Sequence, residues 1–132
     1  MAKGRRDYTW GVLQDAILPG RYSVNWFDSL NLEIDAFSNN TLILYTVPLG
    51  YKFFLTGVFI TCFSPQMNLI TLYKDDVAFL LKYFSVGYDA DLASLGSYVF
   101  NAAEELKIIA TNYDAVDVWF SCQAFGVLEE LV

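Results

Sequence analysis

The segment Val47–Phe63 constrains the fold of this chain more than any other stretch of its sequence. It begins with Pro48 and Gly50, which suit a tight turn because proline fixes φ and glycine accepts a positive φ at little steric cost. It continues from Lys52 as aromatic and β-branched residues whose side chains alternate between two faces of a strand. Both faces are largely apolar, so we expect a second sheet to cover one face and another element, or another subunit, to cover the other.

Short strands separated by turn residues fill the sequence from about residue 29 onward. Lys74-Asp75-Asp76 is a polar connection typical of a hairpin, and residues 85–96 are expected to form a longer loop. The expected strands are Leu30–Ala36, Thr41–Val47, Lys52–Phe63, Asn68–Tyr73, Val77–Phe84, Ser97–Asn101, Leu106–Thr111 and Val116–Phe125. This spacing, with no helix longer than two turns, predicts an all-β, eight-stranded antiparallel β-sandwich of the jelly-roll type.

The first 28 residues differ in character from the rest of the chain, because they lack a clean periodicity and are still rich in large apolar side chains. A solvated tail is poor in aromatic groups, so we expect an extended N-terminal arm over residues 1–28 and a sandwich domain over residues 29–132. We expect the arm to dock on a neighbouring subunit, where Lys3, Arg5 and Arg6 meet an acidic surface. The alternative is an arm that folds back and extends an edge of its own sheet. The expected anchors of the arm are Trp10, Tyr22, Trp26 and Phe27.

The composition points to an assembly protein. Hydrophobic residues make up 55% of the 132 residues, above the ~45–50% of ordinary soluble domains. Such an excess in a small domain is typical of a subunit interface. No apolar run approaches the ~20 residues of a membrane helix, and no apolar segment follows the basic start of the chain. We therefore expect neither a membrane partner nor a signal peptide.

The sequence contains no histidine, which removes the commonest general base and most zinc and iron sites. We expect no catalytic residues, no cofactor and no metal, and hence no enzyme. Asp75-Asp76 and Asp89-Ala90-Asp91 are expected to be solvated, because calcium needs six or more oxygen ligands. Without a secretory signal, Cys62 and Cys122 are expected to be reduced and buried, with a disulfide as the alternative.

The charge is unevenly distributed. Residues 1–21 carry four basic and two acidic side chains, whereas the other 111 residues carry four basic and thirteen acidic ones. An acidic body is repelled by phosphate, and three clustered cations at residues 3–6 are too few to reverse this. Nucleic-acid binding is therefore not expected.

Two segments resemble small jelly-roll virion proteins of tailed phages and related viruses. The first, Thr46–Gly57, contains the pattern V-P-x-G-x-x-x-x-L-T-G, and the second, Glu104–Glu130, is similar to the closing hairpin of those proteins. Ala102-Ala103-Glu104 stands where they have Ala-Gly-Glu. The resemblance covers roughly residues 41–130.

This resemblance implies a virion structural protein: a capsid decoration or cement protein, or a tail or fibre component of a bacteriophage. It implies a homotrimer located in the virion, with the major capsid protein or another virion protein as its partner. The alternative is a carbohydrate-binding β-sandwich, lectin-like or part of a receptor-binding tail fibre, in which exposed aromatic side chains stack on sugars.

Overall fold

The computed structural model describes residues 22–93 and 98–131, which form two antiparallel sheets packed face to face. The strands in chain order are β1 (Tyr22–Ile34), β2 (Asn39–Thr46), β3 (Tyr51–Cys62), β4 (Asn68–Lys74), β5 (Val77–Phe84), β6 (Gly87–Asp91), β7 (Tyr98–Phe100), β8 (Glu105–Thr111) and β9 (Val118–Glu130). The described residues thus confirm the all-β sandwich.

The chain passes back and forth between the two sheets. The front sheet has the order β1-β9-β3-β6, with β7 also paired to β3, and the back sheet has the order β2-β8-β4-β5. This order is that of a two-layer antiparallel sandwich, and the finer jelly-roll assignment stays a prediction. Nine strands are described where eight are predicted, because β6 lies in the predicted loop over residues 85–96. β6 and β7 both pair with β3.

The core lies between the sheets and consists of the inward-facing side chains of both. Large side chains with almost no solvent exposure fill it, among them Phe53, Leu55, Ile60, Ile70, Leu72, Phe100, Leu106, Ile108 and Phe120. Burying each such side chain contributes about 1.5–3 kcal/mol, so this single cluster supplies the main driving force for folding.

A β-bulge in β3 changes which of its residues face the core. The pairing with β9 shifts between Leu55 and Gly57, so Thr56 is the extra residue. Its hydroxyl donates to the carbonyl of Phe125 at 3.1 Å. Strict alternation would have placed Leu55 and Val58 on opposite faces, but both are buried. Because a bulge inserts one residue, the side chains beyond it switch sides.

Two type II turns adjoin at one end of the sandwich, and each has a positive φ at its third position. Gly50 has φ 85° in the turn closed by Tyr51 N–H donating to Pro48 at 3.2 Å. Ala103 has φ 70° in the turn closed by Glu104 N–H donating to Asn101 at 3.1 Å. This position of a type II turn favours glycine. Ala103 is also the residue that stands in place of the glycine of the resembling proteins.

The carboxylate of Glu104 is held in place beside the second turn. It accepts a hydrogen bond from the N–H of Asn101 at 2.6 Å and lies 3.3 Å from the ammonium group of Lys74. The hydrogen bond from Asn101, and secondarily the contact with Lys74, lower the pKa of Glu104 because both favour its charged form.

The β4–β5 connection is the predicted hairpin. Asp75 and Asp76 have φ of 49° and 64°, and a two-residue type I′ turn needs positive values at both positions. Asp75 accepts a hydrogen bond from Glu105 N–H at 2.8 Å, and Asp76 pairs with Lys107. These two carboxylates are therefore bound to β8, whereas the sequence predicts that they are merely solvated.

Two strand predictions need correction. The predicted loop over residues 85–96 contains β6, a short and polar strand that exists because it pairs with Gly57–Thr61 of β3. The first strand begins at Tyr22, since its pairing with β9 runs without interruption from Tyr22 opposite Glu130 to Ile34 opposite Val118. Residues 22–28 of the predicted arm therefore belong to the front sheet, and the arm prediction for residues 1–21 lies outside the described residues.

A buried asparagine joins the β1–β2 and β8–β9 connections at the opposite end of the sandwich. The side-chain amide of Asn112 donates to the carbonyls of Ile34 at 3.0 Å, Asp35 at 3.2 Å and Val116 at 2.9 Å. Its oxygen accepts from the N–H of Asp114 at 2.8 Å. The sequence predicts only a turn here, so this structural role was missed.

Both cysteines are free and buried, which confirms the prediction of reduced thiols. Cys122 lies opposite Ile60, and Cys62 lies opposite Phe120, so the two thiols are diagonal neighbours on adjacent strands. Burial, with a smaller contribution from the charge of Asp28, raises the pKa of Cys122 to about 12.

Candidate interaction surface

The outer face of the front sheet carries a cluster of apolar side chains, which we call the aromatic patch. The strand register brings them together, because residues that lie directly opposite each other on neighbouring strands point to the same face. Phe27 lies opposite Phe125, and Phe54 lies opposite both Val127 and Val99. The patch consists of Phe27, Phe54, Phe59, Val99, Phe125 and Val127.

The aromatic rings of this patch are partly exposed. Phe27 retains 57% of its exposure, Phe125 41% and Phe59 40%. The rings of Phe27 and Phe125 contact each other at 5.3 Å between centroids. Gly57 leaves space beside Phe125, since a β-carbon there would lie 3.9 Å from that ring. The result is an apolar surface on a regular sheet, of the kind that protein partners cover.

Charged side chains border the aromatic patch. The ammonium group of Lys52 lies 5.8 Å from the centre of the Phe54 ring, within the range of a cation–π contact. On the other side, Asp89 of β6 lies opposite Phe59, and Asp91 lies opposite Gly57. An apolar centre with a charged rim is the usual organisation of a protein interface.

A depression of about 440 Å³ lies farther along the same face. Its polar floor is formed by Asn31, Ser121 and Thr61, which are aligned across β1, β9 and β3. Phe63, 89% exposed, and Trp119, 51% exposed, also line it. We call this feature the polar depression. The volume is within the range of small-ligand sites.

The structure separates the predicted arm anchors. Phe27 lies in the aromatic patch, but Trp26 faces inward, with its ring 4.9 Å from that of Tyr45 and 4.8 Å from that of Phe53. Trp26 therefore anchors β1 to its own sandwich rather than to a neighbour. The backbone of Tyr22 pairs with Glu130, while the side chain of Tyr22 and the whole of Trp10 lie outside the described part of the structure.

Sequence reasoning missed most of the exposed surface. Phe59, Phe125 and Phe63 were not singled out as surface residues. Trp119 was expected in the core or in an interface; it lies exposed on the outer face, which excludes the core, and the interface role stays a prediction. The alternation of residues along β9 would have indicated which of its side chains point outward. Trp119 and Phe125 have the opposite parity to the small core residues Cys122 and Ala124.

The remaining chemistry of the described residues is limited. Over residues 22–93 and 98–131, no three side chains of histidine, cysteine, aspartate or glutamate are grouped so as to hold a metal ion. The same residues contain no helix long and apolar enough to cross a membrane. The side chains that this surface presents suit apolar contact, ring stacking and hydrogen bonding.

Comparisons with known proteins give only distant structural likeness. No family model matches the chain, and no curated protein matches it. The decameric BFDV capsid protein is 9% identical, with a TM-score of 0.49, 85% of this chain covered and 99% of that one. A protein of disulfide-linked pili from Bacillus endospore appendages is 11% identical, with a TM-score of 0.47 and coverages of 83% and 91%. A de novo designed double-stranded β-helix is 11% identical, with a TM-score of 0.41 and coverages of 74% and 97%.

Proposed function

We propose that this protein is a virion structural protein, either a capsid decoration or cement protein or another capsid-associated component. It assembles through the outer face of its front sheet and through its N-terminal segment. The observation that carries this proposal is the aromatic patch, whose three exposed phenylalanines lie on the outer face of the front sheet, outside the core.

The energetic argument concerns the cost of leaving this patch in water. The core between the sheets is already filled, so the patch is not needed to hold the monomer together. Burying a phenylalanine fully is worth about 1.5–3 kcal/mol, and aromatic side chains dominate the binding energy of interfaces. Covering Phe27, Phe59 and Phe125 with a partner would therefore supply a large share of a specific association.

The proposed role is non-catalytic, in keeping with a sequence that contains no histidine. The proposed partners are further copies of the chain and the major capsid protein or another virion protein, and the proposed location is the virion. The sequence resemblance to small phage jelly-roll proteins supports this choice, and it also supports a homotrimer. The basic residues Lys3, Arg5 and Arg6 suit an acidic partner surface.

The polar depression favours a second candidate, a carbohydrate-binding module. Sugars bind by stacking on aromatic rings and by hydrogen bonding to nearby polar groups. Trp119 and Phe63 supply exposed rings beside Asn31, Thr61 and Ser121. This arrangement offers both kinds of contact on the outer face of the front sheet.

One set of variants tests both candidates. Phe59→Ser with Phe125→Ser removes two rings of the aromatic patch, and Leu44→Ser with Leu81→Ser is the matched control on the outer face of the back sheet, where both leucines are more than half exposed. We expect the first pair to weaken binding to virus particles lacking this protein by at least about tenfold, as loss of interface anchors does. The control pair should bind like the unaltered chain.

Equal binding by both pairs would refute the assembly role of the aromatic patch. A glycan array probed with the unaltered chain and with Trp119→Ala completes the design. Sugar binding that Trp119→Ala abolishes, together with no particle binding by any form, would replace the structural proposal with the carbohydrate one.

A further inference from the structure

We propose that the margin of β1 that no described strand covers, which we call its free margin, pairs with β1 of a second copy of this chain, so that the front sheet continues across two molecules. This inference deepens the proposed assembly role, on which it rests, by naming the partner and the contact. Three observations carry it: the contrast among the sheet margins, the groups that face the β1 margin, and the exposed apolar side chains beside it.

The margins of the two sheets are protected unequally. Natural proteins prevent unwanted pairing at sheet edges by short strands, bulges and charged side chains. β6 and β7 are only 5 and 3 residues long, and β6 contains two aspartates. β2 is interrupted by a bulge at Leu42, and the pairing of β5 with β4 shifts beyond Leu72. β5 also presents Lys82.

β1 lacks most of these devices. It has 13 residues, its pairing with β9 contains no bulge, and it includes no lysine, arginine, proline or glycine. Its charged residues are Asp28 and Glu33. These two carboxylates offer some protection, but a long edge strand without a bulge, lysine or proline is still a template for another strand.

The hydrogen-bonding direction along β1 can be assigned. The backbone N–H of Phe63, the residue after β3, donates to the carbonyl of Trp119 at 3.3 Å. The backbone groups of odd-numbered residues in β9 therefore point toward β3, and those of even-numbered residues such as Phe120 point toward β1. Phe120 lies opposite Leu32, so the even-numbered residues of β1 bond to β9. The N–H of Ser29 is consistent with this assignment, because it donates to the side chain of Asp28 at 2.9 Å and not to β9. The residues whose backbone groups face the free margin are therefore Ser23, Asn25, Phe27, Ser29, Asn31 and Glu33.

Apolar side chains flank this margin on both faces. Phe27 on the outer face is 57% exposed, and Leu30 on the inner face is 38% exposed. A strand added to β1 would cover both. It would also place the aromatic patches of two molecules side by side on one continuous sheet, which enlarges the surface offered to a virion partner.

A two-fold antiparallel pairing centred on Phe27 suits the charges of β1. It sets the two Phe27 residues opposite each other and places Asp28 opposite Trp26 of the second copy. Glu33 then lies beyond the described residues of the opposing strand. A pairing centred on Asp28 would bring like charges together, which destabilises cross-strand pairs. An isologous contact of this kind produces a dimer or another even-numbered assembly, in place of the trimer that the sequence resemblance implies.

The test uses the full chain and a proline at the margin. Asn25→Pro removes an N–H that faces the margin and leaves every β9 hydrogen bond in place, a position where edge strands tolerate proline. The matched control is Thr41→Pro in β2, another edge strand, where the N–H of Thr41 donates to the side-chain oxygen of Asn40 at 2.8 Å and not to a neighbouring strand.

Sedimentation velocity and amide hydrogen exchange supply the readouts. We expect the unaltered chain to dimerise, with exchange at Asn25 and Phe27 slowing as concentration rises. Asn25→Pro should weaken the dimer by at least about tenfold, because the two-fold contact loses two hydrogen bonds. Its melting temperature, measured under monomeric conditions, should stay within about 3 °C of the unaltered chain. Thr41→Pro should dimerise normally.

Two other outcomes overturn the inference, and a third separates it from the proposed function. A monomer whose Asn25 and Phe27 amides exchange slowly at every concentration would show that the chain's own N-terminal residues cover the margin. A trimer with fast exchange at these amides would leave the proposed assembly role standing and remove the β1 contact. A dimer that needs the margin but binds no virus particle would preserve this inference and refute the proposed function.

Discussion

Replacing Gly126 by alanine should destabilise the fold more than any other exchange of a glycine for alanine among the described glycines in strands. Gly126 lies on the inward face of β9, directly beneath the ring of Phe53. A β-carbon at this position would lie 2.5 Å from Cε1 and 2.7 Å from Cζ of Phe53, and 2.6 Å from the backbone oxygen of Phe54. Carbon atoms in contact are ordinarily about 3.5–4.0 Å apart.

Neither neighbour can move away easily. Phe53 is fully buried, and its ring touches those of Trp26, Tyr45 and Phe100. The oxygen of Phe54 belongs to the adjacent strand, so moving it means separating β3 from β9. Overpacking a core costs about 1–3 kcal/mol and occasionally more. With backbone as one of the clashing groups, we expect a loss of at least about 3 kcal/mol.

Gly57→Ala is the matched control, because it makes the same chemical change in the partner strand. Its β-carbon would lie 3.5 Å from the oxygen of Ala90 and 3.9 Å from the Phe125 ring, which are ordinary contacts. Restricting the unfolded chain there should stabilise the protein by about 0.4–1 kcal/mol. The two variants should therefore differ by about 4 kcal/mol in the free energy of unfolding, measured in urea.

The melting temperature should show the same order, with Gly126→Ala lower by roughly 10 °C or more for a chain of this size. Adding Phe53→Leu to Gly126→Ala should recover only part of the loss, because the clash with the Phe54 oxygen remains. If Gly126→Ala lies within about 1 kcal/mol of Gly57→Ala, the close packing of β9 on Phe53 is refuted.

Two further predictions concern turns and loops. Ala103→Gly should raise the free energy of unfolding, measured in urea, by about 1 kcal/mol. Ala103 has φ 70°, and the left-handed region costs a non-glycine residue about that much. An unchanged or lower stability would contradict the type II turn. Asn112→Ala should destabilise by about 2–4 kcal/mol, because the carbonyls of Ile34, Asp35 and Val116 lose their donor at the buried end of the sandwich. A loss below about 1 kcal/mol would show that water replaces the amide there.

The sequence was less informative about which side chains are exposed than about which strands form. The parity of β3 suggested two apolar faces, and both exist, since Phe53 and Ile60 are buried while Phe59 is on the outer face. The membership of each face depends on the bulge at Thr56. The isolated Gly57 beside Thr56 is a local sign of a bulge, but the exact register is set by the pairing of β3 with β9, more than sixty residues away in sequence.

Local residue chemistry determined the all-β class, the turns and the state of the thiols. Pro48 and Gly50 predicted a turn, Asp75-Asp76 predicted a hairpin, and both cysteines were expected to be free. Each of these predictions depends on a few consecutive residues or on composition. Each is confirmed. Only the tertiary structure decided the length of β1, the existence of β6 and the placement of the aromatic patch. These features arise from hydrogen bonding and burial between strands distant in sequence, which local propensity does not contain.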